Sequence, residues 1–187
     1  MRAAMPPAVS SLRLEYVREP AVSAELDREL RELFSSCFPQ PRTAFFRERR
    51  YANEMPLHRY LLRGPGGELL AHVAVHEKRI LVAGASFTVG GIAEVCVHDS
   101  QRGLGRAKEL LGHAHQGLRE LGVPFALLFG EVPIYGSSGY QHLTAPIRIF
   151  EPATNSYKNE PSALALYKPL GARSWPDGPI DLDGPMF

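Results

Sequence analysis

One stretch limits the fold of this chain more than any other. Leu104, Ala107, Leu111, Ala114, Leu118 and Leu121 recur at steps of three and four, and Gly122 follows them. That spacing predicts an amphipathic helix closed by a glycine. Before it stands Ile92-Ala93-Glu94-Val95-Cys96-Val97, and after it the unbroken apolar run Phe125–Phe129. A short continuous apolar run reads as a strand buried on both faces. Strand, helix and strand in that order form a β-α-β unit, so strands 92–97 and 125–129 are expected to be parallel neighbours.

The rest of the chain arranges itself around this unit, punctuated by 17 Gly and 16 Pro. Residues 11–17 alternate, with Leu12, Leu14 and Tyr16 on one face of a strand. Val22, Leu26, Leu30, Leu33, Phe34 and Cys37 recur at helical spacing until Pro39 and Pro41. Residues 45–55 are expected to form a second, shorter helix. Residues 57–63 and 69–75 form a hairpin about Gly64-Pro65-Gly66-Gly67. Strands 80–83 and 87–97 continue the sheet, and residues 164–167 look like a last strand. The order predicts an α/β fold of the α+β kind: one mixed sheet, mostly antiparallel, with a parallel pair inside it and flanking helices.

A length of 187 residues suits a single domain over 1–187. Residues 1–10 are expected to be flexible. Residues 170–187 keep Trp175, Ile180, Leu182, Met186 and Phe187, too many apolar groups for a disordered tail. They are expected to dock on the domain, along the side of a binding site, or on a second subunit as in a homodimer. Lys+Arg of 21 against Asp+Glu of 20 leaves a net charge of +1, which removes the electrostatic case for a nucleic-acid partner. No apolar run is long enough for a membrane span, and no secretory leader is visible. Two cysteines, Cys37 and Cys96, are too few for a disulfide framework or a thiolate metal site. A cytoplasmic location without a bound metal is the expectation.

Chemistry concentrates where strand 92–97 turns into the long helix, through His98-Asp99-Ser100-Gln101-Arg102-Gly103-Leu104-Gly105-Arg106. Glycines at a first helical turn let the backbone approach a ligand closely. The amides there lack intrahelical acceptors and carry the positive end of the helix dipole. A pyrophosphate would meet both conditions, with Arg102 adding a charge-assisted contact. Taken alone, the turn reads equally well as a strand-helix connection with no ligand.

The larger pattern resembles the GCN5-related N-acetyltransferases. It comprises Val95-Cys96-Val97-His98, then Gln101-Arg102-Gly103-Leu104-Gly105-Arg106, then Phe125–Phe129, then Ile134-Tyr135-Gly136-Ser137-Ser138-Gly139-Tyr140. One departure stands out: the family's Arg or Gln, three residues before the first glycine, is Ser100 here, with Gln101 one place late. Shorter likenesses point to amino-sugar acylators. Residues 121–125 and 175–181 resemble the rhizobial nodulation N-acyltransferase, and the size and layout resemble aminoglycoside 2'-N-acetyltransferases.

The resemblance implies acetyl-CoA as co-substrate, bound where the two parallel strands splay apart. Backbone of Val95, Cys96 and Val97 would pair with the pantetheine arm. Gln101, Arg102, Gly103, Leu104, Gly105 and Arg106 would hold the diphosphate. A small-molecule amine, an amino sugar foremost, would attack the thioester directly. The other options are a non-catalytic CoA-binding domain and a protein or peptide acetyltransferase. Tyr135 occupies the family's tyrosine position and is the candidate acid for the leaving thiolate; its alternative is a packed aromatic. The carbonyl donor is the N–H of Val97 or Cys96.

Glu94, Cys96 and His98 alternate and so share one strand face. Glu94 is the candidate base, directly or through water, against a surface role. Cys96 suits packing better than covalent catalysis, since alternate residues on a strand are roughly 7 Å apart. His113 and His115 point to different faces of their helix. His72 and His76 are expected at the surface or lining a groove. The cluster Arg47, Arg49, Arg50 and Arg59 reads as a solvated helix face, or else as a site facing an acidic group.

Overall fold

The computed structural model describes residues 11–39, 41, 43–160 and 164–187. Its centre is a pair of long antiparallel strands, β3 (Leu69–Val82) and β4 (Ala85–Val97), with β2 (His58–Arg63) and β1 (Arg13–Arg18) beside the first half of β3. Stretches 69–75 and 80–83 were expected as separate strands. They are one strand, because residues 76–79 alternate inward and outward without any turn residue. On the other side of β4 lies β5 (Phe125–Phe129), parallel to it, and then β9 (Ala165–Pro169) and β6 (Gln141–His142). Residues 165–169 are not the last strand. A two-residue strand, β10 (Ile180–Asp181), pairs antiparallel with the end of β3 and parallel with β7 (Ile147–Glu151), which carries β8 (Ser156–Glu160) at its edge.

Helix α1 (Ala24–Cys37) starts where the Ser23 hydroxyl accepts the Leu26 N–H, a side-chain cap for one of the free amides. Helix α2 (Arg106–Glu120) buries Leu110, Leu111, Ala114, His115 and Leu118. Leu104 and Leu121, expected in that stripe, are 57% and 54% exposed, because both lie in the turns that flank the helix. Residues 45–55 do not form a helix: only Ala44–Arg47 makes a 3-10 turn, and the rest is irregular. That segment has no apolar stripe able to drive helix formation. Within β1, Leu14 and Tyr16 are 40% and 50% exposed. Helix α2 packs mainly over β2, β3 and β4 rather than over this edge strand.

The helices take opposite faces of the sheet. Under α2, Val73, Val75, Ile92, Ala126 and Leu128 form one core with the helix's own leucines. Each Val, Ile or Leu side chain among them contributes about 1.5–3 kcal/mol when fully buried. The other face is divided. At one end Leu26, Leu30, Phe34, Leu61 and Cys96 pack under α1. At the other, Ile80, Val82, Val89, Ile147, Ile180 and Leu182 pack with the C-terminal segment, where Trp175 lies across Phe125 at 4.9 Å. Between the two runs a buried polar stripe: Glu19, Arg59, His72, Glu94, His76 and Lys78.

Strands β4 and β5 pair through just two positions, Gly90 with Ala126 and Gly91 with Leu127. The parallel neighbour of β5 is therefore not strand 92–97 but the pair of glycines before it. Both glycines are filled from outside. A Cβ on Gly90 would overlap Leu118 Cδ1, and one on Gly91 would lie 2.9 Å from the Phe187 ring. Gly90→Val should accordingly destabilise the protein by about 1–3 kcal/mol through overpacking. In Gly90→Ala with Leu118→Ala, denaturant titration should find the double variant more stable than the two single losses sum to.

Candidate active site

Beyond Gly91, β4 continues alone on its β5 side. Ala93 opposes Ala74 and Cys96 opposes His72, so β4 carries an extra residue over this stretch. The bulge centres on Glu94, whose φ of 42° is unusual for a residue with a side chain. The expected alternation of Glu94, Cys96 and His98 does not run regularly from Ile92. Ile92 faces α2, whereas Cys96 faces α1 and Val95 and Val97 pack on the α2 side. An extra residue shifts the parity, as a bulge must.

The bulge is held by buried hydrogen bonds. Ala52 N–H donates to Glu94 Oε1 at 3.0 Å, and Glu94 Oε2 is buried without a partner among the described residues. The Glu94 carbonyl lies 2.9 Å from His72 Nδ1, while His72 Nε2 lies 3.1 Å from an Arg59 guanidinium nitrogen. Arginine can only donate, so Nε2 accepts and Nδ1–H donates to Glu94. Arg59 is wholly buried and ion-paired to buried Glu19. Burial drives the Glu94 carboxyl up to about 7, with the Ala52 N–H and Arg59 pulling the other way. Burial holds the His72 imidazole well below its ordinary value, with Arg59 adding to it, and it lowers His76 to about 4. Of the two expected places, the surface or the lining of a groove, the first is excluded: both histidines are buried in the polar stripe.

At its C-terminal end β4 offers free backbone. His98 N–H donates to Leu70 O at 2.8 Å on β3. Successive N–H groups point to alternate edges, so Val97 N–H points away from β3, into the gap. Val97 O accepts from the Cys37 thiol at 3.4 Å and from Arg102 Nε at 3.3 Å. Arg102 also pairs with Asp99 at 2.9 Å, which turns it back toward the strand end. Ser100 is occupied with His98, its hydroxyl 2.9 Å from Nδ1. The next residue, Gln101, closes the short 3-10 turn Asp99–Gln101 by donating its N–H to His98 O.

Helix α2 opens on Gly105, which with Gly103 has φ of 75°, the left-handed region where glycine is favoured. A Cβ at either would meet nothing within 4 Å, so the turn faces open space. Among the described residues the N–H groups of Gly103, Leu104, Gly105 and Arg106 have no backbone acceptor. Arg106 Nε is likewise buried and unpartnered. Such a set of donors fits a diphosphate.

Tyr135 lies across the gap, in the one-turn helix α3 (Val132–Tyr135) after β5. Its ring covers Gly130, where a Cβ would sit 2.5 Å from Cε2, and meets Tyr140 edge-on at 6.1 Å. Burial raises its hydroxyl above the usual phenol value, with Cys96 adding to the shift. Of the two thiols, Cys96 is pushed well up by burial. Cys37 is drawn down to about 6, foremost by a hydrogen bond with Cys96 and further by Ser36 and Arg102. Sequence reading missed this pairing of α1 with β4, because the two cysteines are 59 positions apart. Two of the clustered arginines are structural. Arg50 bridges Glu19 and Asp27, and Arg59 is the buried partner of Glu19, so neither is free to meet a ligand's acid group.

Comparison with known proteins bears on this geometry. Residues 21–143 match the acetyltransferase (GNAT) domain family. Among solved structures, the chain is similar to the Escherichia coli GNAT family N-acetyltransferase YhbS, in complex with CoA. The TM-score is 0.64 at 17% identity, over 97% of this chain and 93% of that one. It is also similar to a GNAT family acetyltransferase from Brucella melitensis, in complex with acetyl-CoA. There the TM-score is 0.59 at 16% identity, over 90% and 94% of the two chains. No curated protein matches the sequence. The family match extends over most of the chain and takes in the bulged strand, the glycine turn and Tyr135. The chain therefore belongs to the GNAT acetyltransferase family.

Proposed function

We propose that the chain transfers an acetyl group from acetyl-CoA to a small-molecule amine, with both bound at once. The observation that carries this reading is the stretch of β4 that, among the described residues, has no partner on its β5 side. It has free amides at the glycine turn on one end and an unpartnered buried carboxyl at the bulge on the other. Two similar proteins, from E. coli and B. melitensis, are in complex with CoA and acetyl-CoA respectively, which supports the choice of donor.

The residues divide the work. N–H groups of Gly103, Leu104, Gly105 and Arg106 hold the diphosphate, with Gln101 and Arg102 at its margin. Backbone of Val95 and Val97 substitutes for the missing β5 ladder by pairing with the pantetheine amides, whereas Cys96, expected to join them, turns its backbone toward His72 on β3. Val97 N–H, aimed into the gap, polarises the thioester carbonyl. Glu94, with its carboxyl near 7, takes the ammonium proton directly or through water. The neutral amine then forms the C–N bond as the C–S bond breaks; Tyr135, kept protonated by its burial, gives the departing thiolate a proton and regains one, through water, from the acylated nitrogen as it becomes the neutral amide. Amino sugars remain the favoured acceptors on the short likenesses at residues 121–125 and 175–181.

Acetyl-CoA at a hundred times its Kd should stabilise the fold by about 2.7 kcal/mol, read as a thermal shift. Gly105→Val should abolish the shift, with the circular dichroism of the fold retained. No shift with acetyl-CoA or CoA at millimolar concentration would overturn the assignment of the donor.

Tyr135→Phe keeps the ring over Gly130 and removes the proton. Turnover should fall by roughly 10²–10⁴-fold with acetyl-CoA affinity little changed. Full activity at every pH would leave Tyr135 a packing residue only, and would reopen the non-catalytic reading of the site.

Glu94 ties rate and stability to pH in opposite directions. As a base it must be ionised, so kcat/KM should rise through pH 7. Glu94→Gln should lose that inflection, with a deficit that eases at high pH where the amine is already neutral. For stability, a carboxyl raised from 4.5 to about 7 holds a proton in the native state that the unfolded chain has already lost. Its contribution is full below pH 4.5 and is lost as pH rises through 7. Urea titrations from pH 5 to 8 should show a smaller decline for Glu94→Gln than for the wild type.

A further inference from the structure

The C-terminal segment ends where the gap begins. Gly91 is the last β4 residue with a β5 partner, and the Phe187 ring occupies the space its missing side chain leaves. That ring is 5.6 Å from the His76 ring on β3 and 5.4 Å from Phe129, the final residue of β5. One side chain thus bridges three strands on the sheet face opposite α2. Asn53 donates to Met186 O at 2.9 Å, and Phe150 N–H donates to Gly184 O at 2.9 Å, which fixes the approach of the segment.

Two polar atoms on this face, His76 Nε2 and Glu94 Oε2, are buried and have no partner among the described residues. His76 pairs with Gly91 across the ladder, and Glu94 lies three residues farther along β4. Buried polar atoms without partners call for an explanation, and an absent ligand is one. Aromatic walls and an acceptor atom on one sheet face suit a molecule with a flat or ring-shaped body and a protonated nitrogen.

We propose that Phe187 is a specificity-determining residue of the acceptor subsite. Its ring, with Phe129 and His76, forms the wall against which a ring-borne primary amine packs while the nitrogen reaches toward Glu94. This inference rests on the acetyl transfer proposed above and adds the class of acceptor: primary amines attached directly or by a short chain to an aromatic or pyranose ring, in preference to linear polyamines. It also gives the C-terminal segment a part in selecting the substrate.

The test compares wild type, Phe187→Ala and Phe187→Leu, measuring thiol release from acetyl-CoA with 2-phenylethylamine, glucosamine and spermidine. The leucine variant keeps an apolar group over Gly91 and so guards against simple loss of fold. Wild type should favour the two ring-borne amines. Phe187→Ala should raise their KM about fivefold to tenfold and that of spermidine by less than twofold, with the KM for acetyl-CoA unchanged. Phe187→Leu should fall between. Equal KM changes for all three amines, or none, would overturn the proposal. Should wild type use none of the amines, the proposed transfer to small amines fails, and Phe187 is judged by acceptor-free hydrolysis of acetyl-CoA. That rate should rise several-fold in Phe187→Ala as water enters the vacated place, and an unchanged rate overturns the proposal.

Discussion

The structure turns on β4 parting from β5 immediately after Gly91. A central strand normally has both edges paired, and leaving one open exposes backbone donors and acceptors that must find other partners. Here the opening is built in three ways. Gly90 admits Leu118 of α2 from one face, and Gly91 admits Phe187 from the other. Three residues later the bulge at Glu94 shifts the parity of the strand. The result places Val95 and Val97 against the α2 core and Cys96 against the α1 core, with one backbone edge left for a ligand.

A positive φ at a residue with a side chain costs of order 1–3 kcal/mol and persists only where its surroundings enforce it. The enforcing contacts form a chain. Glu19 holds Arg59, Arg59 holds the Nε2 of His72, and His72 holds the carbonyl of Glu94 from across the bulge. Ala52 N–H fixes one carboxylate oxygen and leaves the other free. These are buried groups, so removing any one of them strands its neighbour and costs more than the bond itself. The same burial that makes the chain rigid also lifts the Glu94 carboxyl toward neutrality, so the scaffold and the proposed proton acceptor have one physical origin. The tail joins this arrangement. Its strand β10 links β7 to β3, and its last residue reaches the start of the gap.

Much of the fold was legible because it depends on local periodicity. The stripe of α2, the run Phe125–Phe129 and the glycines at 103 and 105 each signal their structure within a few residues. Long-range geometry was not. The joining of stretches 69–75 and 80–83 into β3 depends on residues 76–79, whose mixed character hides a strand. The adjacent Gly90 and Gly91 were a visible sign of close approach, yet their occupants, Leu118 and Phe187, lie 28 and 96 positions away. The bulge has no sequence signature of its own, and so the burial of Glu94, His72 and His76 could not be read in advance. Arg50 and Arg59 looked like surface charge because their partner Glu19 is remote in sequence.

The central claim is that the open edge of β4 and the glycine turn are one binding surface for the donor. Amide hydrogen exchange, resolved to single residues with and without acetyl-CoA, tests it most directly. The account predicts strong new protection at Val95, Val97 and Gly103 through Arg106, with little change in the paired half of β4 before Gly91. Protection that appears elsewhere while these amides exchange as fast as in the free protein would contradict it.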